Sequence, residues 1–158
     1  MIALIQRVTE AAVEVDGRII AQTGPGLLAL VAVVAADTPA QGERLLDRLL
    51  GYRVFPDESG RMNLSLADTG GGLLLVPQFT LAADTHKGMR PSFGPAAASG
   101  QGQALFEDLV GRARGRHGPV AAGAFGAHMR VSLVNDGPVT FWLEAKPTAA
   151  RTRSRGTN

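Results

Sequence analysis

The chain contains no cysteine, and this absence excludes disulfide bonds, thiolate nucleophiles and zinc sites built on cysteine ligands. Its three histidines, His86, His117 and His128, do not have the spacing of metal ligands. No glycine-rich stretch has the form of a nucleotide phosphate loop. We therefore expect no metal and no cofactor.

Charge and long apolar runs are also scarce. Charged residues make up 19% of the chain and hydrophobic residues 45%, a balance that supports a packed core and excludes wholesale disorder. The length of 158 residues suits one domain. No apolar run approaches the length of a membrane span, and the first residues lack the basic region and cleavage pattern of a signal peptide. We expect a soluble, cytoplasmic protein without a membrane partner.

The basic character of the chain is concentrated at its C-terminus. The pI is about 9.7, but residues 146–158 contain four basic side chains and no acid, leaving 12 basic against 14 acidic side chains in the rest. We predict a single domain over residues 1–145 and a basic, disordered tail over residues 146–158. The tail is either a solvated end or a source of non-specific attraction to nucleic acid.

The hydrophobic pattern predicts a mixed α/β fold with two main helices. Thr38, Pro39 and Gln41 have the spacing of a capping box before the first helix, whose apolar stripe is Leu45, Leu46, Leu49 and Leu50. A second helix is predicted over residues 99–114, with Ala104, Leu105, Leu109 and Val110 facing inward. The remaining predictions are strands at 2–8, 13–15, 19–20, 27–34, 52–55, 62–64, 73–76, 128–134 and 139–143, turns at Asp16–Gly17 and Asn135–Pro138, and a loose segment at 118–126.

The stretch Val76–Phe93 is the first candidate site. A buried strand runs directly into Pro77, Gln78, Phe79 and Thr80, and a long irregular segment with four ionisable side chains follows. Polar groups at the end of a buried strand are typical of ligand sites in α/β proteins. A strand followed by a solvated surface loop is the alternative.

Gly137–Pro138 is the second candidate site. A Gly-Pro dipeptide between two apolar strands is typical of an ordinary turn. Because an X–Pro bond can be cis at modest cost, and glycine lets a backbone approach another group, the pair could instead present two fixed carbonyl groups outward.

Several stretches, in order along the chain, match one known family at the right spacing. They are Met1–Val8, Gly51–Phe55, Met62–Asn63, Gln78–Asp84, Arg90–Phe93 and Val131–Leu143. Through them the sequence resembles the D-aminoacyl-tRNA deacylase family over residues 1 to about 145. Gln78–Leu81 and Asn135–Thr140 are long and far apart, so their joint occurrence is a specific signal.

The resemblance implies a three-layer α/β/β fold that forms a homodimer with its sites at the subunit interface. Gly137 and Pro138, next to Asn135, would form a cis bond that reaches into the partner's site and reads handedness. The reaction would be hydrolysis of the ester between tRNA and a D-amino acid, or glycine mischarged on alanine tRNA, as a proofreading step in translation. Arg7 would orient the Gly-Pro segment or serve as a strand-end cation, and Met129 and Phe125 would contact substrate or pack in the core.

For the chemistry, backbone N–H groups of Gln78, Phe79 and Thr80 are the candidate oxyanion donors. Thr80 carries the only hydroxyl of its motif, but no His or Asp is spaced to activate it, so we assign it to lining or orienting the site rather than to nucleophilic attack. Lys87, Arg90 and Arg130 could contact phosphates or simply be solvated.

Two alternatives stay open. Many family members have serine where this chain has Pro77, and a related subfamily with relaxed chirality, which acts on mischarged L-aminoacyl-tRNA, has proline there. A non-catalytic RNA-binding module is the other alternative. It is disfavoured because aromatic residues, which stack on bases, are only 5% of the chain, and residues 1–145 are slightly acidic.

Overall fold

A computed structural model describes residues 1–147, so most of the predicted basic tail, from residue 148 on, lies outside the described residues. No helix within the described part is long and apolar enough to cross a membrane. The elements are β1 (Ile2–Val15), β2 (Arg18–Thr23), β3 (Gly26–Ala32), α1 (Pro39–Gly51), β4 (Phe55–Pro56), β5 (Met62–Leu64), α2 (Leu66–Thr69), β6 (Gly72–Pro77), a 3₁₀ turn (Phe79–Ala82), α3 (Ser99–Arg116), β7 (Val120–Ala122) and β8 (Arg130–Glu144).

One mixed sheet organises the chain, which confirms the predicted α/β class. Its strand order is β2-β1-β3-β6-β7, and β8 pairs with β1 along the other edge of that strand. Strands β3, β6 and β7 run parallel, and every pairing made by β1 is antiparallel. The predicted turn at Asp16–Gly17 is confirmed, with φ of 50° and 77° at its two residues. Left-handed values at both positions are what a tight hairpin requires.

Three sequence predictions about strands need correction. β1 is one continuous strand of 14 residues rather than two short ones, because it serves as the common partner of β2, β3 and β8. The loose segment at 118–126 contains β7, which the sheet recruits as a parallel edge. The predicted strand at 52–55 is reduced to β4, since only Phe55 and Pro56 pair with β5.

The central strands bury both faces, as their continuous apolar runs predict. Leu27 and Leu73 belong to a large buried cluster that includes the apolar sides of α1 and α3. Their neighbours Leu28 and Leu74 point the other way and pack with β2 and the far halves of β1 and β8. The period of two along a strand therefore divides the core between two faces of the sheet.

The two long helices form where the sequence predicts them. The capping box of α1 is present, with Thr38 and Gln41 bonded reciprocally and Pro39 in the first turn, and the four predicted leucines are buried. α3 extends two residues beyond the predicted end. Ala104 is exposed rather than buried, and Phe106 takes its expected place in the core.

Two glycines allow β3 and β6 to begin side by side. A Cβ built on Gly26 would lie 1.9 Å from the carbonyl oxygen of Gly72, and one on Gly72 would lie 2.0 Å from Oγ1 of Thr23. Neither position has space for a side chain. This close start belongs to the parallel register of β3 and β6, in which Pro77 at the end of β6 pairs with Val31 of β3. The other residues of the first candidate site follow directly after Pro77.

Gly26→Ala is predicted to lower the free energy of unfolding by about 3 kcal/mol or more, because the new methyl group meets backbone rather than a movable side chain. The matched control is Gly111→Ala in α3, where a Cβ meets nothing within 4 Å. That variant should gain about 0.5–1 kcal/mol from helix propensity. Urea denaturation measures both, and equal midpoints for the two variants would contradict the assigned role of Gly26.

Candidate active site at the end of β6

A cavity of about 480 Å³ opens where β6 ends. Four residues that the sequence singles out, Gln78, Phe79, Phe125 and Met129, line it. The strand end, the start of α3 and the segment before β8 together form its walls, so residues far apart in sequence meet here. The other lining residues are Val76, Pro77, Ala97, Ser99, Gly126, Ala127, His128 and Val131.

The backbone leaves β6 in a way that fixes which amides face outward. The N–H of Gln78 donates to the carbonyl of Val31 at 2.7 Å, so this amide extends the sheet and is not free to bind an oxyanion. The N–H groups of Phe79 and Thr80 begin the 3₁₀ turn, and within residues 1–147 neither has a hydrogen-bond acceptor. Of the three predicted oxyanion donors, two therefore remain available.

Thr80 is exposed and is not among the residues that line the cavity. Its Oγ1 accepts a hydrogen bond from Nε2 of Gln78. Within the described part of the chain, no histidine or carboxylate forms a hydrogen bond with this hydroxyl. The contacts of Thr80 are those of an oriented polar side chain without an activating base.

The far wall depends on a glycine that sequence reasoning missed. A Cβ on Gly123 would lie 2.9 Å from Sδ of Met129 and 3.3 Å from Cδ of Pro77, so a larger residue here would push against both side chains. Phe125 is held by the buried ring of Phe106, with ring centroids 6.4 Å apart. Gly123 lies in the segment predicted to be loose, where nothing in the local pattern signals a tight contact.

The second candidate site lies on β8 and corrects another prediction. Asn135–Pro138 is not a turn between two strands, because the chain pairs with β1 on both sides of it. Val8 pairs with Asn135 and Gln6 pairs with Thr140, so residues 136–139 together stand opposite Arg7. The segment is a bulge in a continuous strand. Its Gly137–Pro138 peptide bond is cis, as expected, and so is Gly118–Pro119, which the sequence analysis did not single out.

The side chain of Asn135 closes the base of this bulge. Its Nδ2 donates to the carbonyl oxygens of Arg7 at 3.0 Å and Val139 at 2.9 Å, and its Oδ1 accepts from the N–H of Val139 at 3.2 Å. The amide group thus replaces the strand pairing that the extra residues interrupt. At about 1 kcal/mol for each bond, these contacts are enough to favour one geometry of the bulge.

Arg7 holds the same bulge from the side. Its Nε donates to the carbonyl of Asp136 at 2.9 Å, and its Nη1 donates to the carbonyl of Val54 at 2.6 Å. The carboxylate of Asp136 lies 3.3 Å from Nε, and the arginine side chain is only 13% exposed. The expected contact between Arg7 and the Gly-Pro segment is therefore present, and it ties the bulge to the segment before β4.

Gly137 is required by its own chain. A Cβ at this position would lie 2.0 Å from the backbone nitrogen of Val139. From sequence, glycine here was expected to let the backbone approach another group. The clash with Val139 is a nearer cause, and it applies whether or not a substrate is bound.

The two groups of predicted residues do not meet within one chain. Gln78, Phe79, Phe125 and Met129 surround the cavity, whereas no residue of the bulge lines it. Gly137 and Pro138 are exposed on the surface. A single chain therefore carries the cavity in one place and the exposed bulge in another.

Charged groups lie in the loop that follows the 3₁₀ turn and at the start of β8. Asp84 Oδ1 accepts from the backbone N–H of His86 at 3.0 Å and contacts its Nδ1 at 2.6 Å, and these bonds lower the pKa of Asp84, the backbone bond contributing most. Arg130 approaches Glu14 at 3.9 Å. Within residues 1–147, no three metal-binding side chains form a cluster.

Comparisons with known proteins agree with this geometry. A family model described as D-Tyr-tRNA(Tyr) deacylase matches residues 4–144. A protein of Thioalkalivibrio sulfidiphilus called D-aminoacyl-tRNA deacylase is 70% identical over 147 residues, covering 93% of this chain and 99% of that protein. One of the same name from Alkalilimnicola ehrlichii is 66% identical over 150 residues, covering 95% and 100%.

Solved structures share the fold. The c-Myc DNA unwinding element binding protein has a TM-score of 0.88 at 37% identity, over 93% of this chain and 100% of that one. A probable eukaryotic D-amino acid tRNA deacylase has a TM-score of 0.75 at 18% identity, over 90% and 98%, a likeness of fold alone. Since the family model spans nearly all of the described residues and the sequence relatives match over almost their whole length, the chain belongs to the D-Tyr-tRNA(Tyr) deacylase family.

Proposed function

We propose that this protein hydrolyses the ester bond between a D-amino acid, or glycine, and the terminal ribose of tRNA. Membership of the family supports the reaction. The observation that carries the finer assignment is the separation of the predicted residues into a pocket at Gln78–Phe79 and an exposed, rigidly held bulge at Gly137–Pro138. The pocket and the exposed bulge would be the two halves of a site that two copies of the chain complete.

In the proposed homodimer, the bulge of one subunit enters the pocket of the other. A two-fold axis would form two equivalent sites, because each subunit supplies one pocket and one bulge. The two clusters of buried residues on opposite faces of the sheet support the implied three-layer α/β/β arrangement, which leaves the bulge exposed on β8.

Chirality would be read by exclusion. The backbone of Gly137 and Pro138 is held by Arg7 and Asn135, so it cannot retreat when a side chain of the wrong hand approaches. A rigid wall of main chain rejects L-amino acids without recognising which side chain they carry. Glycine would be accepted because it has no side chain to exclude.

The hydrolytic step would rely on backbone donors. The N–H groups of Phe79 and Thr80, which lack an acceptor within residues 1–147, would stabilise the oxyanion of the tetrahedral intermediate. Thr80 would orient the reacting groups through its bond to Gln78, and water assisted by the neighbouring ribose hydroxyl would attack the ester. Pro77 contributes no N–H to this set.

Substrates of opposite handedness test the proposed exclusion by the bulge. The parent protein should release D-Tyr and Gly from tRNA and release L-Tyr at least about 100-fold more slowly, because the bulge leaves no room for the side chain of an L-amino acid. Release of labelled amino acid from the three aminoacyl-tRNAs measures this directly. Rapid release of L-Tyr would instead support the relaxed-chirality activity that Pro77 suggests.

Substitutions at Thr80 test its proposed orienting role. Thr80→Ala should keep activity within about tenfold of the parent, because an orienting hydroxyl contributes less than a nucleophile. Thr80→Ser, which retains the hydroxyl, is the matched control and should behave like the parent. Complete loss of activity in Thr80→Ala, together with an acyl group on Thr80 of the parent detected by mass spectrometry, would overturn the orienting role.

A further inference from the structure

The loop between the 3₁₀ turn and the start of α3 is anchored at the rim of the cavity on both sides. On the first side, Gln78 is bonded to Val31 and lines the cavity. On the second side, the N–H of Ala97 donates to the carbonyl of Val33 at 3.0 Å, and Ala97 also lines the cavity. Both ends of this loop therefore lie beside the cavity.

The tip of the loop is closed on itself. The N–H of Asp84 donates to the carbonyl of Ser92 at 2.7 Å, and the N–H of Ser92 donates back at 3.0 Å. Just beyond this pair, the ring of Phe93 packs on the ring of Phe79 with centroids 5.1 Å apart. Phe79 is a wall of the cavity, so the closed tip is joined directly to the site.

All residues of the tip, 85–91, are exposed, and Met89 is 100% exposed. The tip contains Lys87 and Arg90 and no acid. Asp84, at its base, is engaged by His86, and in the described residues neither Lys87 nor Arg90 forms an ion pair. Two cations are thus presented to solvent without an ion-pair partner among residues 1–147.

The cavity lining offers a phosphate no lysine or arginine with which to form an ion pair. Its lining contains no lysine or arginine among the described residues. Residues 1–145 carry more acidic than basic side chains, so the protein has no general attraction to RNA outside its tail. A substrate whose ester is attached to a polyanion therefore needs a local cationic contact near the mouth.

We propose that the tip of this loop, through Lys87 and Arg90, binds backbone phosphates of the tRNA acceptor end and so positions the ester over the cavity. The assignment rests on the proposed function and names the residues that bind the RNA part of that substrate. Lysine and arginine are the usual partners of phosphate oxygens, and such contacts fix position without reading sequence. Arg130 is a weaker candidate, because Glu14 lies close enough to share its charge.

The test compares the double variant Lys87→Ala/Arg90→Ala with the charge-matched control Arg18→Ala/Arg61→Ala. The control removes two exposed cations outside the cavity lining, one at the start of β2 and one just before β5. Each is assayed on D-Tyr-tRNA and on D-Tyr esterified to adenosine, which has no phosphate. The double variant should raise KM for D-Tyr-tRNA about tenfold with kcat within about twofold, and the effect should be confined to the substrate that carries phosphates. The salt dependence of log kcat/KM should become shallower by about 1.5, because two ionic contacts are lost.

Three results would overturn the proposal. They are an unchanged KM for D-Tyr-tRNA, an equal rise in KM for the control variant, and an equal loss on the adenosine ester, which would assign the loop to the cavity rather than to RNA. If the parent hydrolyses neither ester, the proposed function fails separately. Fluorescence anisotropy with uncharged tRNA then decides, since weaker binding by the double variant alone supports the loop contact and unchanged binding contradicts it.

Discussion

The structure depends on how β8 carries extra residues without leaving its partner strand. Residues 136–139 stand opposite Arg7, yet pairing with β1 resumes on both sides. The side chain of Asn135 supplies the hydrogen bonds that the bulge removes, and Arg7 supplies those that hold it from the side. Because both anchors belong to the central sheet, the sheet itself holds the bulge in place. A flexible loop in this position could not exclude a substrate by shape.

The pocket follows from a second constraint on the same sheet. β6 is buried along its whole length and ends at a proline, so the chain must turn where the core ends. The sheet takes the first amide after the proline, and the next two amides have no acceptor within the described part of the chain. Donors that a folded chain leaves free at the mouth of a cavity need no rearrangement to meet a developing charge. This is why hydrolysis here is proposed to rest on main chain rather than on an activated side chain.

Much of this could be predicted from sequence where the signal is local. The capping box of α1, the hairpin at Asp16–Gly17 and the buried run of β6 all depend on neighbouring residues, and each is confirmed. The family motifs also drew attention to Gln78 and Phe79, which line the cavity, and to Asn135–Pro138, which lies at the bulge, while their roles stay predictions. The incorrect predictions concern segments whose structure is set by residues far away in the sequence. β7 has little hydrophobic pattern of its own and forms because β6 pairs with it. The bulge was predicted as a turn because nothing nearby in the sequence shows that β1 pairs with β8 on both sides of it. Gly123 was missed for the same reason, since its need for glycine comes from Met129 and Pro77.

The central proposal, that one subunit completes the site of the other, is tested most directly with mixed dimers. Ala127→Trp would fill the cavity, and Gly137→Ala would displace the bulge through its clash with Val139. Each variant alone should be inactive. Heterodimers purified through two different tags contain one site with an intact pocket and an intact bulge, so they should regain roughly half of the parent rate on D-Tyr-tRNA. Heterodimers as inactive as either variant, or a parent protein that is fully active as a monomer, would contradict the account.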